Sequence, residues 1–138
     1  RAVRGPGGAG TEGVNAMTHN DVFEVLEELS LPIAYNHFAE GESPDPPFIC
    51  FLYPKNIPLG ADNTVYYQLH ELDIELYTDE KNPPLEQRVE RLLTEHEMFF
   101  HKSEVWIEEE KMYEVLYEVT LDLQYEDEDG SEEPESEE

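Results

Sequence analysis

The strongest constraint in this chain is a run of strict alternation near its C-terminal end. From Met112 to Tyr125, the residues Tyr113, Val115, Tyr117, Val119, Leu121, Leu123 and Tyr125 alternate with Glu114, Leu116, Glu118, Thr120, Asp122 and Gln124. A period of two places the two sets on opposite faces of a β-strand. At about 3.3 Å per residue the run reaches roughly 45 Å, where strands of about 5–6 residues are usual. A strand that long is expected to run past its own core and offer its far end to a neighbour. Leu121 and Leu123 are therefore the candidate partner or oligomer contacts.

The remaining elements follow from periodicity and punctuation. Val22, Val25, Leu26 and Leu29 share one helical face, with Thr18 as N-cap, Asp21 in the first turn and Pro32 as the stop. A strand is expected over 33–38. Three prolines and a glycine mark 39–47 as a loop. Phe48 to Tyr53 reads as a strand apolar on both faces, followed by a loop over 54–63 and a strand over 65–78. In that last strand Leu72, Ile74 and Leu76 alternate with Asp73, Glu75 and Tyr77, and a bulge or sharp twist is expected near His70. Asn82 before Pro83 and Pro84 opens a second helix, with Leu85, Val89, Leu92, Leu93 and His96 on one face. A terminal hairpin turns at Glu108-Glu109-Glu110-Lys111. The order α-β-β-β-α-β-β implies an α+β fold, an antiparallel sheet of about five strands with two helices on one face.

Residues 17–125 are the expected domain. The glycine-rich stretch 1–16 reads as a disordered leader or cloning remnant, since Met17 followed by Thr18 looks like a natural start. Residues 126–138 read as a disordered acidic tail. The chain carries 34 Asp and Glu against 8 Lys and Arg, a formal charge of −26. Between Met17 and Tyr125 the balance is 24 acids to 6 bases, so the body is acidic on its own. Such a charge repels nucleic acid. No apolar stretch approaches membrane-spanning length and no basic-then-apolar leader occurs, so the chain reads as a soluble product of a cytoplasm with no membrane partner.

A search for chemistry finds little. Phosphate-binding glycine loops, nucleophile elbows, Cys-x-x-Cys and His-Glu-x-x-His motifs do not occur. Cys50 sits in the apolar run Phe48-Ile49-Cys50-Phe51-Leu52 and reads as a small buried hydrophobe. Of the five histidines, His37 and His70 could face each other across strands, yet two imidazoles make at most half a zinc site. Glu108-Glu109-Glu110 reads as a solvated turn. Tyr66, Tyr67, Tyr113 and Tyr117 read as sheet packing, with no interleaved bases to make a nucleic-acid platform. No catalytic, cofactor or metal residues are assigned, and the chain reads as a non-enzyme.

Two longer patterns carry a resemblance. Ala61-Asp62-Asn63, Tyr66 and Ile74-Glu75-Leu76-Tyr77-Thr78-Asp79-Glu80-Lys81 form the first, and Met112-Tyr113-Glu114-Val115-Leu116-Tyr117-Glu118 the second. Together they resemble the tail-terminator or tail-completion proteins of tailed phages that infect Gram-positive bacteria. The resemblance implies a virion protein of the head–tail junction, present in the host cytoplasm during assembly. Its subunits would form a homo-oligomeric, hexameric ring that caps the tail tube. Its partners would be the major tail tube protein and a head-connector or stopper protein, with DNA crossing the lumen without specific binding. Asp62 and Asn63 are candidate contacts on that basis, although their side chains could simply close a turn. Two alternatives stay open: an acidic DNA mimic that inhibits a host nucleic-acid-binding enzyme, and another neck protein such as a head-completion stopper.

Overall fold

The computed structural model describes residues 14–59 and 67–125. Eight elements follow in the order β1 (Asn15–Thr18), α1 (His19–Glu27), β2 (Ile33–Tyr35), β3 (Phe48–Leu59), β4 (Tyr67–Thr78), α2 (Pro83–Glu95), β5 (Phe100–Ile107) and β6 (Met112–Gln124). The class is α+β, as the pattern implies, but the sheet has six strands and two of its pairings are parallel. Its path runs β1-β6-β4-β3-β2, with β5 also paired to β6.

The helix boundaries are set by side chains that satisfy the first-turn amides. Thr18 Oγ1 accepts from the Asp21 amide at 3.0 Å while Asp21 Oδ2 accepts from the Thr18 amide at 3.0 Å, a reciprocal capping box. Replacing Thr18 with Ala should cost about 1 kcal/mol, read as a lowered urea midpoint with an unchanged slope. In α2 the Asn82 side chain accepts from the Leu85 amide at 3.2 Å, and Pro83 and Pro84 occupy positions whose amides have no intrahelical acceptor. Left-handed residues at Ser30 (φ 59°) and Glu97 (φ 60°) turn the chain away after each helix.

Register divides the sheet residues between two faces. Ile49 and Phe51 of β3 lie opposite Leu76 and Ile74 of β4, which in turn lie opposite Val115 and Tyr117 of β6. Leu72 opposite Val119 completes this face. All of these are buried, and they form one cluster with Val22, Val25, Leu26 and Leu29 of the first helical segment and Leu85, Val89, Leu92 and Leu93 of α2. Both helices therefore pack on the same face. At the α2 end of this layer, Glu86 is 5 % exposed and is held by Lys81 at 2.6 Å and Lys102 at 2.9 Å. Burial alone would raise its pKa, but the hydrogen bonds and charges of Lys81 and Lys102 outweigh it and lower the value.

Six sequence expectations need correction. Asn15 and Ala16, assigned to the leader, belong to β1, which pairs in parallel with Leu121–Gln124. Leu121 also pairs with His70 of β4, so β1 lies on the other edge of β6, in line with β5. The far end of β6 thus runs beside β1 and is not an open edge. Residues 54–59, expected as loop, extend β3 despite Pro54 and Pro58, because β3 pairs here only with β4 and a missing outward amide costs nothing on an edge. The irregularity expected near His70 lies instead on β3, between Leu52 and Lys55, while β4 runs through unbroken. Finally, β2 stops at Tyr35, where Asn36 turns to φ 73°, and β5 begins at Phe100, ahead of the arm expected from Glu104. The segments 1–13 and 126–138 lie outside the described residues.

Candidate functional site

Because both helices sit on one face, the other face of the sheet has no helical cover among the described residues. Side chains there come from alternate positions of the same strands: Cys50 and Leu52 of β3, Glu71, Asp73, Glu75 and Tyr77 of β4, Glu114, Leu116 and Glu118 of β6, and His101, Ser103 and Val105 of β5. Cys50 opposes Glu75 and Leu52 opposes Asp73, while across β4 Glu75 opposes Leu116, Asp73 opposes Glu118 and Tyr77 opposes Glu114. The face is a floor of apolar groups, buried at Phe48 and Cys50 where Phe38 packs on Phe48 and half-buried elsewhere, crossed by rows of carboxylates.

Asp73 and Glu118 are directly opposed on neighbouring strands. Together with Glu71 they bring three carboxyl groups within 4.8 Å of one another. Like charges so placed repel, and partial burial weakens the hydration that would offset the repulsion. Burial first, then a hydrogen bond shared with Glu71 and the charges of Glu71, Glu118 and Glu75, push Asp73 up to about 7. Two carboxyl groups can share a hydrogen bond only if one is protonated, so the cluster holds a proton near neutrality. Asp73 Oδ1 is buried with no donor, as suits the neutral form. Lys55 stands 3.6 Å from Glu71, with its side chain 67 % exposed, and offers only a screened counter-charge.

The neighbouring carboxyls shift the same way. Glu75 is raised by burial, partly offset by the Tyr77 hydroxyl, which donates to Glu75 Oε1 at 2.9 Å. Burial and the Glu75 charge raise Glu114. Cys50 is 5 % exposed, and burial followed by the Glu75 charge pushes its thiol to about 11. A thiol held protonated in this way is a poor nucleophile.

Neither a family model, nor a curated protein, nor a solved structure matches this chain. The residues singled out from sequence fall in three places. Asp62 and Asn63 lie outside the described residues, as does Tyr66. Leu121 is fully buried opposite His70, inside the subunit's own core, which corrects its assignment as a partner contact. Leu123 is half-buried, opposite Met17, and lines a shallow groove of about 450 Å³ with His19, Tyr35, Tyr53, His70 and Tyr125. In that groove His19 Nδ1 and the Tyr53 hydroxyl are 2.9 Å apart, and the Tyr53 and His70 rings meet edge to face. His37 lies beyond β2, its amide bonded to the Tyr35 carbonyl, while His70 pairs with Asn56 and Leu121, so the two histidines do not face each other. Tyr117 is core, with its hydroxyl donating to Glu90 at 2.9 Å, and Glu108–Lys111 make the expected turn.

The carboxylate cluster was not found from sequence. Alternation does show Asp73, Glu75, Glu114 and Glu118 pointing away from the apolar set. That Asp73 meets Glu118 depends on the register between β4 and β6, which alternation leaves free in steps of two residues.

Proposed function

We propose that this chain is a non-enzymatic structural subunit of a phage head–tail junction, forming a hexameric ring that caps the tail tube and joins it to the head connector. The uncovered acidic sheet face is its working surface. One observation carries the reading: the two stretches on which the family resemblance rests are hydrogen-bonded neighbours at the centre of the sheet. Ile74 lies opposite Tyr117 and Thr78 opposite Tyr113, although thirty residues separate the stretches in the chain. Their outward side chains, Glu75, Tyr77, Glu114, Leu116 and Glu118, make up the middle of the uncovered face. The inward residues of the same stretches, Ile74, Leu76, Val115 and Tyr117, build the core that holds this outward set in place.

The physics of the face suits the role. Repeated around a ring, carboxylate rows give a wall that does not bind phosphates, so DNA can pass without adhering. The same charge resists association of the subunits. Rings are therefore expected to be favoured by added salt or mildly lowered pH, and sedimentation of the full chain across ionic strengths checks this. Particles of six subunits that grow in proportion with salt support the reading. A chain that stays monomeric or dimeric at every salt concentration, and that displaces DNA from a nucleic-acid-binding enzyme, would replace it with the DNA-mimic alternative.

A further inference from the structure

The sheet has two outer edges, and they are treated differently. On one side β2 contributes only three residues, and the stretch of β3 beyond it carries Pro54 and Pro58. Short length and proline are the usual protections against edge-to-edge pairing. On the other side lies β5, Phe100–Ile107, eight residues paired only to β6 among the described residues. It has no proline, nearly all of its residues are exposed, and Val105 and Trp106 are 51 % and 41 % exposed. Its own eight residues carry one charge of each sign. Lys102, bonded to Glu86 at 2.9 Å and Glu90 at 2.7 Å, and Glu104, bonded to Lys81 at 2.6 Å, lie on the strand itself.

We infer that β5 is a self-pairing edge, at which a second copy of this chain adds its own β5 in antiparallel register about a twofold axis centred on Ser103. The axis stands perpendicular to the sheet, so opposed residues must lie on the same face and be both odd-numbered or both even-numbered. Two such registers use most of the strand. The one centred on Glu104, spanning His101–Ile107, sets Glu104 against itself, and directly opposed like charges are destabilising. The one centred on Ser103, spanning Phe100–Trp106, sets Lys102 against Glu104 twice, His101 against Val105 and Phe100 against Trp106. Only this second register avoids a directly opposed like-charge pair and joins two aromatic residues, and it does so with Lys102 and Glu104 keeping their partners within the subunit. The contact is isologous and closes at two copies, so it is separate from the head-to-tail joints of a ring and does not depend on the ring reading.

In full-length chain with Cys50 replaced by Ala, Ser103→Cys places two thiols across the axis, at the roughly 4.5–5.5 Å Cα separation of opposed residues, within disulfide reach. Mild oxidation should convert most of this protein to a covalent dimer, while Glu109→Cys on the exposed turn should give little. His101→Cys mixed with Val105→Cys should cross-link with each other more than either does alone. Ser103→Lys apposes two ammonium groups at an exposed position. Sedimentation of the parent chain at moderate salt should show a concentration-dependent dimer, and Ser103→Lys should abolish it while leaving the circular dichroism spectrum unchanged. Cross-linking of the Glu109→Cys protein equal to that of the Ser103→Cys protein would overturn the pairing, as would a dimer that survives Ser103→Lys. Six-subunit particles untouched by Ser103→Lys, with no cross-link through position 103, would also overturn it while leaving the ring reading standing.

Discussion

Val115→Asp is expected to abolish the cooperative unfolding transition, whereas Leu123→Asp keeps the chain folded. Val115 is fully buried between Leu76 of β4 and Glu104 of β5. The substitution removes roughly 2 kcal/mol of apolar burial and places a carboxyl where no donor awaits it, at a further cost of several kcal/mol. The total approaches the roughly 5–15 kcal/mol that holds a domain together. Lys81 and Lys102 are already engaged by Glu86 and Glu104, so neither is free to compensate. Leu123 is half-buried at the rim of a groove and can turn a new carboxylate to water. Leu121 belongs with Val115: Leu121→Ala should cost about 2–5 kcal/mol. Thermal melts followed by circular dichroism separate the cases. A folded Val115→Asp protein beside an unfolded Leu123→Asp protein would mean that the core lies at the other end of β6, since both residues point to the same face.

Asp73→Asn is expected to stabilise the chain at pH 8 by roughly 1–3 kcal/mol, a discounted share of the roughly 1.4 kcal/mol per unit that a raised carboxyl implies. The sign follows from proton uptake. Asp73 moves from 3.8 in the unfolded chain to about 7 in the folded one. Below about pH 4 both states are protonated and the group contributes nothing. Between about pH 4 and 7 the folded state binds the extra proton, so stability falls as pH rises, and above about 7 the loss is complete. Glu75 and Glu114, also raised, act in the same direction, whereas Glu86, lowered, contributes stability that is lost as pH falls through its folded value. The wild type should therefore be most stable on the acidic side of neutrality. Urea titrations at pH 5 and pH 8 should show a smaller difference for Asp73→Asn than for the wild type. An equal difference would mean that the cluster holds no proton.

Much of this architecture is legible in the residues themselves. Alternation in β4 and β6, the Thr18–Asp21 box and the Asn82-Pro83-Pro84 start each depend on local physics, and each stands where the pattern puts it. What escapes is non-local. β1 is four residues, Asn-Ala-Met-Thr, with no alternation to announce it. It becomes a strand by pairing with the end of β6, and its Asn15 side chain donates to the His96 carbonyl. β3 runs through two prolines because, among the described residues, only one of its edges is bonded there. The candidate site escapes for the same reason: Glu71, Asp73 and Glu118 are ordinary outward acids until register places two strands side by side.

The central claim is that the acidic, helix-free face serves a ring at the end of a tail tube. Electron microscopy of tail tubes purified from a tailed phage of Gram-positive bacteria, incubated with the full-length protein, tests it most directly. The account predicts a six-subunit ring at one end of each tube, lost when Glu75 and Glu118 are both replaced by Lys while the isolated chain still melts cooperatively. Bare tube ends at every salt concentration, with the chain free in solution, would contradict it.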